Sequence, residues 1–113
     1  MQIGVPAETV AGETRVAATP ETVKKLVAAG HRVCVQTGAG LASSVTDAAY
    51  QAVGAELCGA ADALGSEMVL KVAAPQAHEL TMMQAGSALV GMLNPFDKDG
   101  LQQMALAGLS AFA

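Results

Sequence analysis

Residues 13–21, ETRVAATPE, contain the transition from a charged turn to the first helix of the chain. Thr19 can act as the N-cap, and Pro20 suits the first helical position, where its missing N–H is not needed. Glu21 places a carboxylate near the positive end of the helix dipole. The helix predicted over residues 20–29 stops before Gly30, the residue type expected just past a helix C-terminus.

Strand and helix patterns alternate on both sides of this helix. Apolar strands are predicted at residues 2–5, 31–36, 55–58, 68–72, 87–92 and 109–113. Further helices are predicted at residues 47–53 (capped by Ser44 or Thr46), 60–64, around 78–83, and from Lys98 or Asp99 to 107. Such alternation predicts right-handed crossovers between parallel strands. We therefore expect one α/β domain with an open, parallel, flavodoxin- or Rossmann-like sheet of about six strands and helices on both faces.

The composition excludes several classes of protein. Of the 113 residues, 52% are hydrophobic and 14% are charged, which predicts a folded domain rather than a disordered chain. The net charge of −4 and the scarcity of aromatic residues argue against a nucleic-acid partner. The sequence shows no signal-peptide pattern and no apolar run of the roughly 18 residues that a membrane span needs, so we expect a cytoplasmic protein.

The cysteines and histidines give no metal-site pattern. Cys34 and Cys58 lie far apart in strand-like segments, and we expect both to be buried thiols in a reducing compartment. A metal site would need more ligands at closer spacing. His31 and His78 are isolated and are interpreted as surface or capping residues.

Polar side chains follow three of the predicted strands at the points where those strands end. Arg15 follows the first strand, Lys71 lies near the end of the fourth, and Asn94 follows the fifth. In open parallel sheets ligands gather at this edge, so Arg15 and Lys71 together would suit a small anion such as a 2-oxo acid. The alternatives are an Arg15 tied to Glu13 in solvent and a Lys71 whose ammonium reaches water at the strand end.

The segment Thr37–Ser43 contains the pattern G-x-G after a strand. The third glycine position of a dinucleotide fingerprint holds Ser43, and no helix clearly begins within the motif. We interpret this segment as a tight turn rather than a nucleotide site.

Taken in order, four motifs resemble a known family. They are IGVPAE at residues 3–8, ETRVAATP at 13–20, TGAG at 37–40, and LKV at 70–72 followed by Pro75. This ordered set, which extends over the whole chain, resembles the N-terminal domain shared by alanine dehydrogenase and the α subunit of proton-translocating NAD(P) transhydrogenase.

The resemblance implies roles for the two cations. In alanine dehydrogenases of this kind, an arginine and a lysine at the positions of Arg15 and Lys71 hold the carboxylate and carbonyl of pyruvate or alanine. Those enzymes also carry a catalytic histidine just after the fifth strand, where this sequence has Met92-Leu93-Asn94-Pro95-Phe96. Without that acid–base group, oxo-acid reduction is disfavoured and the transhydrogenase α subunit is favoured.

The resemblance also implies partners and cofactors. We expect residues 1–113 to be a single, truncated N-terminal domain, inactive alone, whose parent binds NAD in a later Rossmann domain. The implied partners are the rest of the α subunit, membrane and NADP-binding subunits, and a second copy in a homodimer. These subunits would hold the protein at the inner membrane. The alternatives are an alanine dehydrogenase-like substrate domain and a non-catalytic small-molecule or interaction module.

Overall fold

One parallel sheet organises the part of the chain that the structure describes. The computed structural model describes residues 1–91 and 110–112. Its strands are β1 (Gln2–Val5), β2 (Arg32–Gln36), β3 (Glu56–Cys58), β4 (Met68–Lys71), β5 (Ala88–Gly91) and β6 (Ser110–Phe112). They pair in the order β3-β2-β1-β4-β5-β6, and every pairing is parallel. The prediction of an open, parallel α/β sheet is confirmed.

The connections between the strands are mostly helical. The helices are α1 (Pro20–Ala28), α2 (Asp47–Ala52), α3 (Ala60–Leu64) and α4 (Ala77–Leu80), with a short 3-10 helix at Leu41–Ser43. The start of α1 follows the sequence signals, because the Thr19 side chain accepts a hydrogen bond from the backbone N–H of Thr22 at 3.2 Å. Gly30, just beyond its end, adopts a φ of 96°.

Helices cover both faces of the sheet. Ile3 and Val5 of β1 pack on one face with Val23 of α1 and Tyr50 of α2, and all four are 2% exposed or less. Successive strand residues point to opposite faces, so Gly4 lies on the other face, against α3. A Cβ at Gly4 would collide with the carbonyl group of Ala63, so only glycine lets α3 pack this closely.

The prediction of two free thiols is wrong, because Cys34 and Cys58 form a disulfide. β2 and β3 are neighbours in the sheet, and Gln36 pairs with Cys58. This register places the Cα atoms of Cys34 and Cys58 6.0 Å apart, within the range that a disulfide spans. The separation of 24 residues in sequence gave no sign of this proximity.

Several boundaries differ from the predictions. The helix predicted around residues 78–83 is the shorter α4. Asn94 and the helix predicted from Lys98 or Asp99 lie outside the described residues. Among the helices that the structure describes, none has the length and apolar character needed to cross a membrane.

Candidate functional site

A cleft of about 460 Å³ opens at the edge of the sheet where the parallel strands end, here called the carboxyl edge. Its walls come from the segment before α1, the segment after β2, and the ends of β4 and β5. The lining residues are Arg15, Val16, Ala17, Thr19, Ser43, Val45, Leu70, Lys71, Val72, Val90 and Gly91. Arg15 and Lys71, the two predicted site residues, therefore line the same cleft.

Arg15 lies on the open side of this cleft and pairs with Glu13. Its side chain is 58% exposed, and its Nη2 and Nε atoms lie 2.7 and 3.0 Å from Glu13 Oε1. The hydrogen bond from Arg15 lowers the pKa of the Glu13 carboxyl below its usual 4.5, and the same bond raises the pKa of the guanidinium. The proposed tie between Arg15 and Glu13 is confirmed.

Lys71 also contributes to the wall of the cleft, but its side chain has no exposed surface. Its Nζ atom lies 3.1 Å from Glu79 Oε2 and 3.3 Å from Glu8 Oε1, and both carboxylates are 2% exposed. The alternative of an ammonium that reaches water at the strand end is therefore wrong. Burial makes an unpaired charge very costly, and two carboxylates offset that cost here.

Glu8 and Glu79 complete what we call the buried triad, which consists of Glu8, Lys71 and Glu79. Each carboxylate also accepts hydrogen bonds from outside the triad: Glu8 from the backbone N–H groups of Val72 and Ala73, and Glu79 from Thr9 Oγ1 and the Gln76 N–H. Every carboxylate oxygen in the triad therefore has a partner. The positive charge at Lys71 is compensated within the fold.

Sequence reasoning missed both carboxylates of the triad. Glu8 follows β1 by three residues and so lies at the carboxyl edge, which was the signal available for it. Glu79 gave no such signal, because it lies on a helix of only four residues whose packing could not be read from a pattern.

Among the described residues, no group of three or more histidine, cysteine, aspartate or glutamate side chains is placed to hold a metal ion.

The segment Thr37–Ser43 forms a turn, as predicted, and it ends in the 3-10 helix at Leu41–Ser43, which was not predicted. Gly38 adopts a φ of 82°, and its N–H donates to Asp47 Oδ1 at 2.9 Å. The Ser43 hydroxyl donates to the carbonyl of Thr14. The turn thus supports the segment that carries Arg15 rather than presenting a row of N–H groups to a phosphate.

Comparisons with known proteins point to one family. Residues 4–113 match the family model described as alanine dehydrogenase/PNT, N-terminal domain. The chain is 42% identical over 96 residues to an alanine dehydrogenase of Mycobacterium tuberculosis. The aligned segment covers 83% of this chain and 26% of that protein. It is 40% identical over 93 residues to the NAD(P) transhydrogenase subunit alpha of Haemophilus influenzae, covering 82% of this chain and 18% of that protein.

Solved structures give the same result. A transhydrogenase from Sinorhizobium meliloti matches with a TM-score of 0.96 and 36% identity, covering 100% of this chain and 34% of that one. An L-alanine dehydrogenase matches with a TM-score of 0.93 and 37% identity, covering 98% of this chain and 31% of that one. This chain therefore spans about a third or less of the length of each of these proteins.

Proposed function

The chain belongs to the alanine dehydrogenase/PNT N-terminal domain family, and from this premise we propose that it is part of the α subunit of a proton-translocating NAD(P) transhydrogenase. Its parent would transfer a hydride from NADH to NADP held by a partner subunit. NAD would be bound by a Rossmann domain outside this chain, and the cofactors would supply the hydride chemistry. We further propose a cytoplasmic homodimer attached to the inner membrane through its partner subunits.

The observation that carries this proposal is the burial of Lys71 between Glu8 and Glu79. An ammonium with no exposed surface and two carboxylate partners is part of the folded framework. An oxo-acid reductase would need that charge to face its substrate. The sequence adds a second reason, because the segment after β5, Met92-Leu93-Asn94-Pro95-Phe96, has no histidine to transfer a proton.

The second candidate is the substrate domain of an alanine dehydrogenase-like enzyme acting on pyruvate or alanine. The observation that favours it is that Arg15 and Lys71 line one cleft. The exposed guanidinium could hold a carboxylate through two hydrogen bonds. In that case Arg15 and Lys71 would be the substrate-binding residues, and Glu8 and Glu79 would hold the Lys71 ammonium in position.

Activity assays on the full-length parent with its partner subunits separate the two candidates. The variant Arg15→Ala is compared with Arg32→Ala, which removes a second exposed arginine. Arg32 pairs with Glu56 and lies at the start of β2, at the opposite edge of the sheet from the cleft. For a transhydrogenase, we expect NADH-dependent reduction of an NADP analogue in both variants at rates within about twofold of the parent, because neither exposed pair contributes to the chemistry.

A different outcome would support the second candidate. Oxidation of NADH that requires pyruvate, together with a loss of about 10- to 100-fold in Arg15→Ala alone, would identify a substrate carboxylate held by Arg15. That result would contradict the transhydrogenase proposal.

We also propose that residues 1–113 have no hydride-transfer activity of their own. The nucleotide-binding part of the parent would lie outside them, so isothermal titration of this chain with NADH should give no binding at micromolar concentrations. Micromolar binding would contradict the proposal that NAD binds to a Rossmann domain outside this chain.

A further inference from the structure

We propose that the carboxylate of Glu8 is a built-in ligand: it occupies an anion-binding site of the sheet, and acetate can bind there once the side chain is removed. The inference goes beyond the proposed function, because it concerns a site within this chain and holds for either candidate enzyme.

The position of Glu8 is the first reason. In the order β3-β2-β1-β4-β5-β6, the chain winds outward in one direction from β1 and in the other from β4. Adjacent connections therefore leave in opposite directions, and the crevice beyond the carboxyl ends of β1 and β4 is where such sheets bind ligands. Glu8 lies three residues after the end of β1, and its carboxylate reaches across to the residues that end and follow β4.

The donors around the carboxylate are the second reason. Glu8 Oε2 accepts from the N–H of Val72 at 3.1 Å, and Oε1 accepts from the N–H of Ala73 at 3.0 Å and from Lys71 Nζ at 3.3 Å. Two successive backbone N–H groups and an ammonium form an arrangement that binds anions in proteins. Because the Glu8 side chain is 2% exposed, its carboxylate is enclosed as a bound ligand would be.

The loop around Glu8 holds this carboxylate in place. The N–H of Ala7 donates to Gln36 Oε1 at the end of β2, at 2.8 Å. Thr9 Oγ1 lies 2.8 Å from Gln76 Oε1 and 3.2 Å from Glu79 Oε1, so these two oxygens share its single hydroxyl proton. Anchored on both sides, Glu8 competes with any free carboxylate at a high effective concentration, so an external anion cannot bind to the wild-type chain at this site.

The test uses the variant Glu8→Ala with acetate as the probe. The substitution removes the carboxylate and one methylene, and acetate supplies the same group of atoms. Lys71 and Val72 line the cleft, which gives the anion a route to the site. We measure the melting temperature in sodium acetate and in sodium chloride of equal ionic strength, for the wild type, for Glu8→Ala and for the control Glu21→Ala.

Acetate should raise the melting temperature of Glu8→Ala by roughly 5 °C or more beyond its effect on the wild type, with saturation as the site fills. Glu21→Ala removes a carboxylate that is 82% exposed and pairs only weakly with Lys25, at 3.8 Å, so its response should equal that of the wild type. Equal responses in all three proteins would overturn the proposal, since they would show only a general salt effect. Selective stabilisation by acetate is independent of what reaction the parent performs.

A second variant covers the case in which Glu8→Ala does not fold in either salt. Glu8→Gln keeps the shape of the side chain and removes its charge. The amide protons of Val72 and Ala73 should then move upfield in a nitrogen–proton correlation spectrum, because they lose a charged acceptor. Unchanged signals from these two residues would overturn the proposal.

Discussion

The buried triad and the Arg15–Glu13 pair lie beside the same cleft but differ in how far their cations are exposed to water. The Lys71 side chain has no exposed surface and contacts two carboxylates, whereas the Arg15 side chain is 58% exposed and pairs with Glu13, whose side chain is 14% exposed. Water solvates the Arg15 guanidinium whether or not the pair is intact, so this pair should add less to stability than the buried triad does. Within the triad, removal of one member leaves the others without compensation.

This difference separates two roles that look alike in the sequence. Both cations follow a strand at the carboxyl edge, and both were predicted to bind a small anion. Burial assigns the Lys71 charge to the framework of the domain and leaves Arg15 accessible to molecules that enter the cleft. We therefore expect stability to depend on Lys71, and any interaction with a ligand to depend on Arg15.

The largest effect is expected for Lys71→Met. The variant keeps an apolar side chain of similar length but leaves Glu8 and Glu79 buried without their cation, which should lower the free energy of unfolding by about 3–5 kcal/mol. Urea denaturation followed by circular dichroism measures this loss. A loss below about 1 kcal/mol would show that water or other groups compensate the two carboxylates.

Tyr50→Phe should give an intermediate effect, because Tyr50 is buried and neutral with one hydrogen bond. Its hydroxyl donates to the carbonyl of Ala18 at 2.7 Å. The variant leaves that carbonyl without its donor and should lower the free energy of unfolding by about 1 kcal/mol. An unchanged urea midpoint would contradict this prediction, because it would show that another donor satisfies the Ala18 carbonyl in the variant.

The same residue predicts a dependence on pH. Burial raises the pKa of Tyr50 above its usual 10.0, so the folded chain holds the phenolic proton more tightly than the unfolded chain. Its contribution is complete below pH 10.0 and is lost as the pH rises through the folded-state pKa. Wild-type stability should therefore decline more steeply in this range than that of Tyr50→Phe, and parallel declines would contradict this assignment.

The smallest effect is expected for Arg15→Ala. Because the guanidinium is largely exposed, the free energy of unfolding should fall by no more than about 1 kcal/mol, which is measured as a small shift of the urea midpoint. The pKa of Glu13 should nevertheless rise toward 4.5 in the variant, since the Arg15 hydrogen bond is the main cause of its depression. Carbon-detected titration of the Glu13 carboxyl measures this change, and an unaltered pKa would contradict the pairing.

The sequence predicted the fold well because its signals were local. Alternating apolar segments placed all six strands within one or two residues, and Thr19, Pro20 and Gly30 marked the ends of α1. Each of these features depends on a few neighbouring residues. The spacing of the elements then restricted the topology to parallel crossovers.

The features that were missed depend on contacts between distant parts of the chain. The disulfide joins residues 24 apart, and the pairing of Glu8 with Lys71 spans 63 residues. Both follow from strand order, which decides that β2 neighbours β3 and that β1 neighbours β4. A rule that places Arg15 and Lys71 at one edge of the sheet cannot say which of them is buried.

A pair of double-mutant cycles tests most directly the claim that the Lys71 charge belongs to the fold. One cycle combines Glu8→Gln with Lys71→Met, and the other combines Glu13→Gln with Arg15→Met, all measured by urea denaturation. We predict a coupling free energy of about 2 kcal/mol or more between Glu8 and Lys71, and one below about 1 kcal/mol between Glu13 and Arg15. Equal coupling in the two cycles would contradict the account.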